Sequence, residues 1–177
     1  APLPCPAGFH SNRSGLPSDL LCLPCPAGSS CTTGSVQPIL CASGTFTNAT
    51  SRSECRRCAG GTFQDLAGAT ACKACAQGSF CSEGASAALP CEEGTYSTAT
   101  DLVNKSMCTP CPPGSSCATG STAGAPCSPG TYTDQQGAAT CLKCAGGTFQ
   151  DLAGATACKA CSQGSVSSEG AADELPC

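Results

Sequence analysis

The chain has 177 residues, 20 of them cysteine, with no tryptophan and a formal net charge of −4. The cysteine share exceeds the roughly 8–10 % that marks a disulfide scaffold. Leu, Ile, Val and Phe together number 21, which is below the share expected of a domain that buries its own core. Charged residues are 11 %, with no basic stripe and no apolar run near the roughly 18 residues of a membrane span. Nucleic acid is therefore a poor partner, and no membrane insertion is expected of this segment.

Gly and Pro number 21 and 14, so long helices are not expected. Cross-links must stand in for the missing core. No signal peptide precedes Ala1-Pro2-Leu3-Pro4, which reads as a processed or excised start.

Self-comparison organises the rest. Residues 58–75 read CAGGTFQDLAGATACKAC, and residues 144–161 read the same, 86 positions later. The same offset carries Cys5, Cys22, Cys25, Cys31, Cys41, Cys55, Cys58, Cys72, Cys75 and Cys91 each onto another cysteine, whereas Cys81 lands on Ser167. The expected modules are a short one over 1–40, a long one over 41–90, a short one over 91–126 and a long one over 127–177. Cys177 opens a third cycle, so the pattern predicts an array that continues.

Two loop types alternate along the chain. The long loop is C-x2-G-T-[FY], starting at Cys41, Cys58, Cys91, Cys127 and Cys144, with a shortened relative at Cys5. The short loop is C-x2-G-S-x-C, starting at Cys25, Cys75 and Cys111, with a degenerate copy at Cys161. A glycine three residues after cysteine fits a tight turn needing positive φ. Asn12, Asn48, Asp65, Asp134 and Asp151 follow seven residues after the opening cysteine, where turns favour them. Each long loop thus reads as a two-stranded hairpin closed by a bridge. The expected fold class is small and disulfide-rich, with tandem short β-hairpin loops stacked into an elongated rod and no helix-rich core.

The cysteine chemistry has three readings. Cys55-x2-Cys58-x13-Cys72-x2-Cys75 approaches a zinc-ribbon spacing. Against zinc, the only histidine is His10, and the x5 and x9 spacings match no familiar ligand set. A redox C-x2-C needs a βαβ scaffold that the pattern lacks. The favoured reading is structural disulfides with sequential pairing. Long loops then close as Cys5–Cys22, Cys41–Cys55, Cys58–Cys72, Cys91–Cys108, Cys127–Cys141 and Cys144–Cys158. Short loops close as Cys25–Cys31, Cys75–Cys81 and Cys111–Cys117, and Cys161–Cys177 restores parity. Interleaved pairing within each group of four stays open.

All three asparagines lie in N-x-[ST]: Asn12-Arg-Ser14, Asn48-Ala-Thr50 and Asn104-Lys-Ser106. They read as N-glycosylation acceptors of a secreted protein, and N-linked glycans are expected while no cofactor or metal is. No catalytic residue stands out. His10 is isolated, and Glu92-Glu93 and Asp173-Glu174 are neighbours in sequence, as in solvated turns. Phe46, Phe63, Tyr96, Tyr132 and Phe149 recur at one loop position, which favours packing within each hairpin.

Tandem C-x2-G-T-[FY] loops running into C-x2-C resemble the ephrin-receptor-like cysteine-rich repeat. They are similar in style to tumour necrosis factor receptor and EGF-like modules. Residues 41–75 carry the resemblance best, and it extends over essentially the whole chain. It implies an extracellular or cell-surface rod of stacked disulfide-bonded loops, without an active site. Such repeats look common in surface proteins of algae and protists, including flagellar-hair (mastigoneme) proteins. The expected function is a non-enzymatic structural segment of a secreted glycoprotein, in a rod, stalk or filament, that associates with itself or with sister filament proteins. The alternative is a ligand-binding ectodomain of a cell-surface receptor. Peptide mapping without reduction separates the pairing schemes, and a Cys75–Cys91 link would exclude the sequential one.

Overall fold

The computed structural model describes residues 4–13 and 21–177. Among them twenty strands of two residues each form ten two-stranded sheets, every sheet joining strands consecutive in the chain. A 3-10 turn spans Lys105–Met107. The chain divides into two compact units. The first is Ala1–Cys75, Cys81–Leu89 and Asp101–Asn104, and the second is Ala76–Phe80, Pro90–Thr100 and Lys105–Cys177.

The repeating element is a rung, which a cysteine opens and a hairpin fills. The rung opened by Cys41 shows its construction. Thr45 N–H donates to Ala42 O at 3.0 Å, and Gly44 between them has φ +80°. Glycine at the third position of such a turn is what the left-handed backbone requires. Thr45 Oγ1 also donates to Ala42 O at 2.7 Å. Thr45–Phe46 then pairs antiparallel with Arg56–Arg57, Thr45 facing Arg57. Cys58, which opens the next rung, donates its N–H to Gly44 O at 2.9 Å and closes the hairpin.

Rungs are joined by main-chain bonds. Gly44 N–H donates to Gln64 O at 2.7 Å, Thr47 N–H to Ala69 O at 3.2 Å, and Gly68 N–H returns to Cys41 O at 2.8 Å. The second unit repeats this set, with Gly114 to Thr133, Cys117 to Ala138 and Gly137 to Cys111 at 2.7, 3.0 and 2.8 Å. A two-stranded hairpin is marginal alone in water. Here each one satisfies its neighbour's outward amides, so no rung is left as an isolated hairpin.

A steric constraint reaches one rung further. A Cβ on Gly44 would sit 2.2 Å from Gly84 O, and one on Gly114 equally close to Gly154 O. Those carbonyls belong to the rung after next, so the turn glycine is needed both for its φ and for its bare surface. The carbonyl-bearing position is itself glycine with positive φ in most rungs; Ser51 occupies it in the Cys41 rung with φ 58°.

Side-chain burial follows from this main-chain framework. The buried apolar side chains among the described residues are thirteen cysteines and Leu102. The recurring aromatics Phe46, Phe63, Tyr96, Tyr132 and Phe149 are half-buried in their hairpins. Outer strands are exposed and carry Leu23, Ile39, Leu40, Leu89, Leu142 and Leu175. Proline or a cation in many of these strands blocks further strand pairing, as at Pro90, Pro126 and Lys143.

Gly44→Ala should lower the stability of its unit by about 3 kcal/mol, since strain at φ and a clash with a main-chain oxygen add. Gly164→Ala meets nothing within 4 Å and should cost about 1 kcal/mol. Denaturant midpoints of the oxidised variants measure both, and equal shifts would contradict the steric account.

Candidate functional site

Nine disulfides form among the described residues. Six close long loops: Cys5–Cys22, Cys41–Cys55, Cys58–Cys72, Cys91–Cys108, Cys127–Cys141 and Cys144–Cys158. Three close short loops: Cys25–Cys31, Cys75–Cys81 and Cys111–Cys117. Long loops enclose separations of 14 or 17 residues, and short loops 6. A closed loop near 15 residues is worth ~3 kcal/mol in the chain-entropy account.

The residue three places after the turn glycine decides which bridge forms. In short loops it is Cys31, Cys81 or Cys117, each fully buried and bonded to the opening cysteine. In long loops it is Ser11, Thr47, Gln64, Ser97, Thr133 or Gln150, all buried. There the side chain closes the loop by hydrogen bonds, and the opening cysteine bonds across the hairpin instead. Gln64 Nε2 donates to Ala71 O at 2.6 Å, while its Oε1 accepts from Leu66 N at 3.0 Å. Gln150 repeats this with Ala157 and Leu152. Ser97 Oγ accepts from Ala99 N at 3.0 Å, and Thr133 Oγ1 from Gln135 N at 3.3 Å. No buried side-chain nitrogen or oxygen among the described residues lacks a partner.

The last rung departs from the expected pairing. Cys161 and Cys177 are both free thiols, so the anticipated Cys161–Cys177 bridge is not formed. The reason lies in the rung plan. An opening cysteine of a short rung reaches inward to the position three after the glycine, here Ser167. Cys161 Sγ lies 3.0 Å from Ser167 Oγ, which donates to Thr148 O at 2.9 Å. Cys177 stands where a next opening cysteine stands, its N–H on Gly164 O at 2.9 Å, as Cys91 N–H is on Gly78 O. Ser167 thus occupies the cysteine's position but bonds to the preceding rung through Thr148 O.

Lys73 Nζ lies 2.6 Å from Asp65 Oδ1 and 5.9 Å from the Phe63 ring centroid. Lys159 repeats the arrangement with Asp151 and Phe149. The hydrogen bond from each lysine holds the Asp65 and Asp151 carboxyls below their ordinary value. A lowered carboxyl contributes stability above its unfolded pKa and loses it as pH falls through the folded one. These pairs are half-exposed, so the effect is small. Of the adjacent carboxylates, Glu174 accepts from Ser162 N and Oγ at 2.5 and 2.8 Å, and Glu92 pairs with Lys105 at 3.2 Å. His10 is half-buried in its strand opposite Leu23. No cluster of metal-binding side chains occurs among the described residues.

Asn12, Asn48 and Asn104 are exposed. Asn12 and Asn48 directly follow the buried Ser11 and Thr47, whose hydroxyls accept from Arg13 N and Ala49 N. Both asparagines therefore sit at the outside of a small hydroxyl-closed turn. Ser14, the hydroxyl residue of the first acceptor motif, lies outside the described residues, as do Ala1, Pro2 and Leu3.

A family model described as tyrosine-protein kinase ephrin type A/B receptor-like matches residues 44–88, 114–161 and 130–177. The chain belongs to the ephrin-receptor-like family. The matched stretches are the long and short rungs of this cysteine-rich repeat, and they cover more than half of the chain. No curated protein matches it. No helix among the described residues is long and apolar enough to cross a membrane.

In denaturant without reductant, a thiol reagent should label two cysteines per chain. Ser167→Cys should lower that to one, through a new bond from Cys161 to position 167, and raise the melting temperature. Three labelled thiols in the variant would refute the rung plan.

Proposed function

We propose that the chain is a non-enzymatic structural segment of a secreted glycoprotein, serving in an extracellular rod, stalk or filament. The observation that supports this most is the nature of the rung-to-rung bonds. They run between main-chain groups and repeat in both units, so length grows by adding rungs and no side-chain constellation is spent on chemistry. The disulfides fit an oxidising, extracellular setting. N-linked glycans at Asn12, Asn48 and Asn104 would cover loops that bury few apolar groups, and no cofactor enters the reading. Partners are other copies or sister filament proteins.

A ligand-binding ectodomain is the second reading. It draws support from Leu23, Val36, Ile39 and Leu40, which are all more than half exposed in the first two rungs. Leu23 and Val36 also line a shallow groove with His10, Asn12 and Gln37.

Electron microscopy of native material labelled with an antibody to this segment should show periodic filaments or stalks. Enzymatic release of N-glycans should convert each occupied asparagine to aspartate, read as a mass change on the peptides bearing Asn12, Asn48 and Asn104. A monodisperse, unglycosylated protein that captures a soluble ligand would favour the second reading instead.

A further inference from the structure

The Cys5 and Cys25 rungs carry an apolar surface beside Asn12 that their counterparts 86 residues later replace. Ser11 N–H donates to Ser35 O at 3.1 Å, which brings the following residues, Asn12 and Val36, next to each other across the rung junction. His10 pairs with Leu23 across the hairpin. These four residues and Gln37 line one shallow groove. Leu23 and Val36 are 60 % and 64 % exposed.

The second unit builds the same junction with a different surface. Ser97 N–H donates to Ser121 O at 3.1 Å, so Thr98 takes the place of Asn12 and Thr122 that of Val36. Thr109 stands for Leu23, opposite Tyr96. Thr98, Thr109 and Thr122 are exposed in the middle of the chain, so exposure at these positions comes from the rung plan and not from the start of the chain. Where the acceptor asparagine is replaced, both apolar side chains are replaced with it.

Asn48 gives the contrasting case. Thr47 N–H donates to Ala69 O at 3.2 Å, so Thr70 lies beside Asn48, and Arg56 pairs with Phe46 as Leu23 pairs with His10. That acceptor has a threonine and an arginine where Asn12 has a valine and a leucine.

We propose that the groove of Leu23, Val36 and Gln37 seats the innermost N-acetylglucosamine of a glycan on Asn12. The apolar C–H face of the pyranose and the acetamido methyl cover Leu23 and Val36, while the sugar hydroxyls face water. The Gln37 amide offers a hydrogen bond to the acetamido oxygen. Attachment at the rim of the groove makes the contact intramolecular, so a contact too weak to hold a free sugar is still made. The exposed leucine and valine are then a surface for the chain's own glycan rather than for a free ligand. The proposal rests on the glycoprotein reading above, and on Asn12 being occupied. It adds what that one glycan does.

The test uses the 177-residue chain secreted from eukaryotic cells and trimmed enzymatically to one N-acetylglucosamine at each site. Peptide mass should show the sugar on Asn12, and nuclear Overhauser effects should connect its acetamido methyl to the methyl groups of Leu23 and Val36. Asn12→Gln should lower the melting temperature by about 4 °C. The same substitution in a Leu23→Thr, Val36→Thr background should lower it by less than about 1 °C, as should Asn48→Gln in the native background. An unmodified Asn12 overturns the proposal together with the reading of that motif as an acceptor. A modified Asn12 whose sugar shows no contact with either side chain, or whose loss costs the same in both backgrounds, overturns the groove alone and leaves the glycoprotein reading standing.

Discussion

The turn glycines of eight rungs, from Gly8 to Gly130, lie against a main-chain carbonyl from the rung after next, at a distance that admits no Cβ. This contact governs the rest of the structure. It fixes how closely rungs approach, and that spacing lets the glycine N–H, the opening cysteine carbonyl and the amide three residues past the glycine all find main-chain partners. A chain with few apolar side chains cannot hold hairpins together by burial. It holds them by satisfied amides at close range, where a methyl group would force the rungs apart.

The covalent layer adapts to that spacing. The opening cysteines from Cys5 to Cys144 are all buried. Where that position is cysteine, as at Cys31, a short bridge fills the space. Where it is Thr47 or Gln64, the side chain turns to its own loop and the opening sulfur crosses the hairpin. One location in the rung thus selects between a sulfur bridge and a hydrogen-bonded loop without disturbing the ladder. At Ser167 neither bridge forms: Cys161 stays free and the serine hydroxyl bonds Thr148 O, while the hairpin of that rung keeps its Cys177 N–H bond to Gly164 O.

Much of this was legible from cysteine and glycine positions. C-x2-G announced the turn, the 86-residue offset announced the repeat, and the scarcity of large apolar residues announced hairpins without a packed core. The residues after the glycine carried a readable signal too. Ser11, Thr47, Gln64, Ser97, Thr133 and Gln150 occupy one column, but small polar residues in a loop look like solvent-facing ones until their burial is seen. The reach of a glycine to the rung after next was not legible, because a residue chosen for positive φ and one chosen for bare surface are the same letter. The Cys161–Cys177 pairing failed for a related reason. Parity of cysteine number says nothing about which rung owns a sulfur, and Cys177 holds the place of an opening cysteine of the following rung.

The unbridged Cys161 rung also changes how the chain responds to tension. Pulling on a long rung transmits force through the disulfide, so the loop residues between its cysteines cannot pay out. From Cys161 to Cys177 no sulfur bridge shortens the path, and sixteen residues can extend once their hydrogen bonds yield. The corresponding free stretch in the Cys75 rung runs only from Cys81 to Cys91. A single cysteine-to-serine difference therefore gives this rung a longer compliant stretch than the short rungs that keep their bridge.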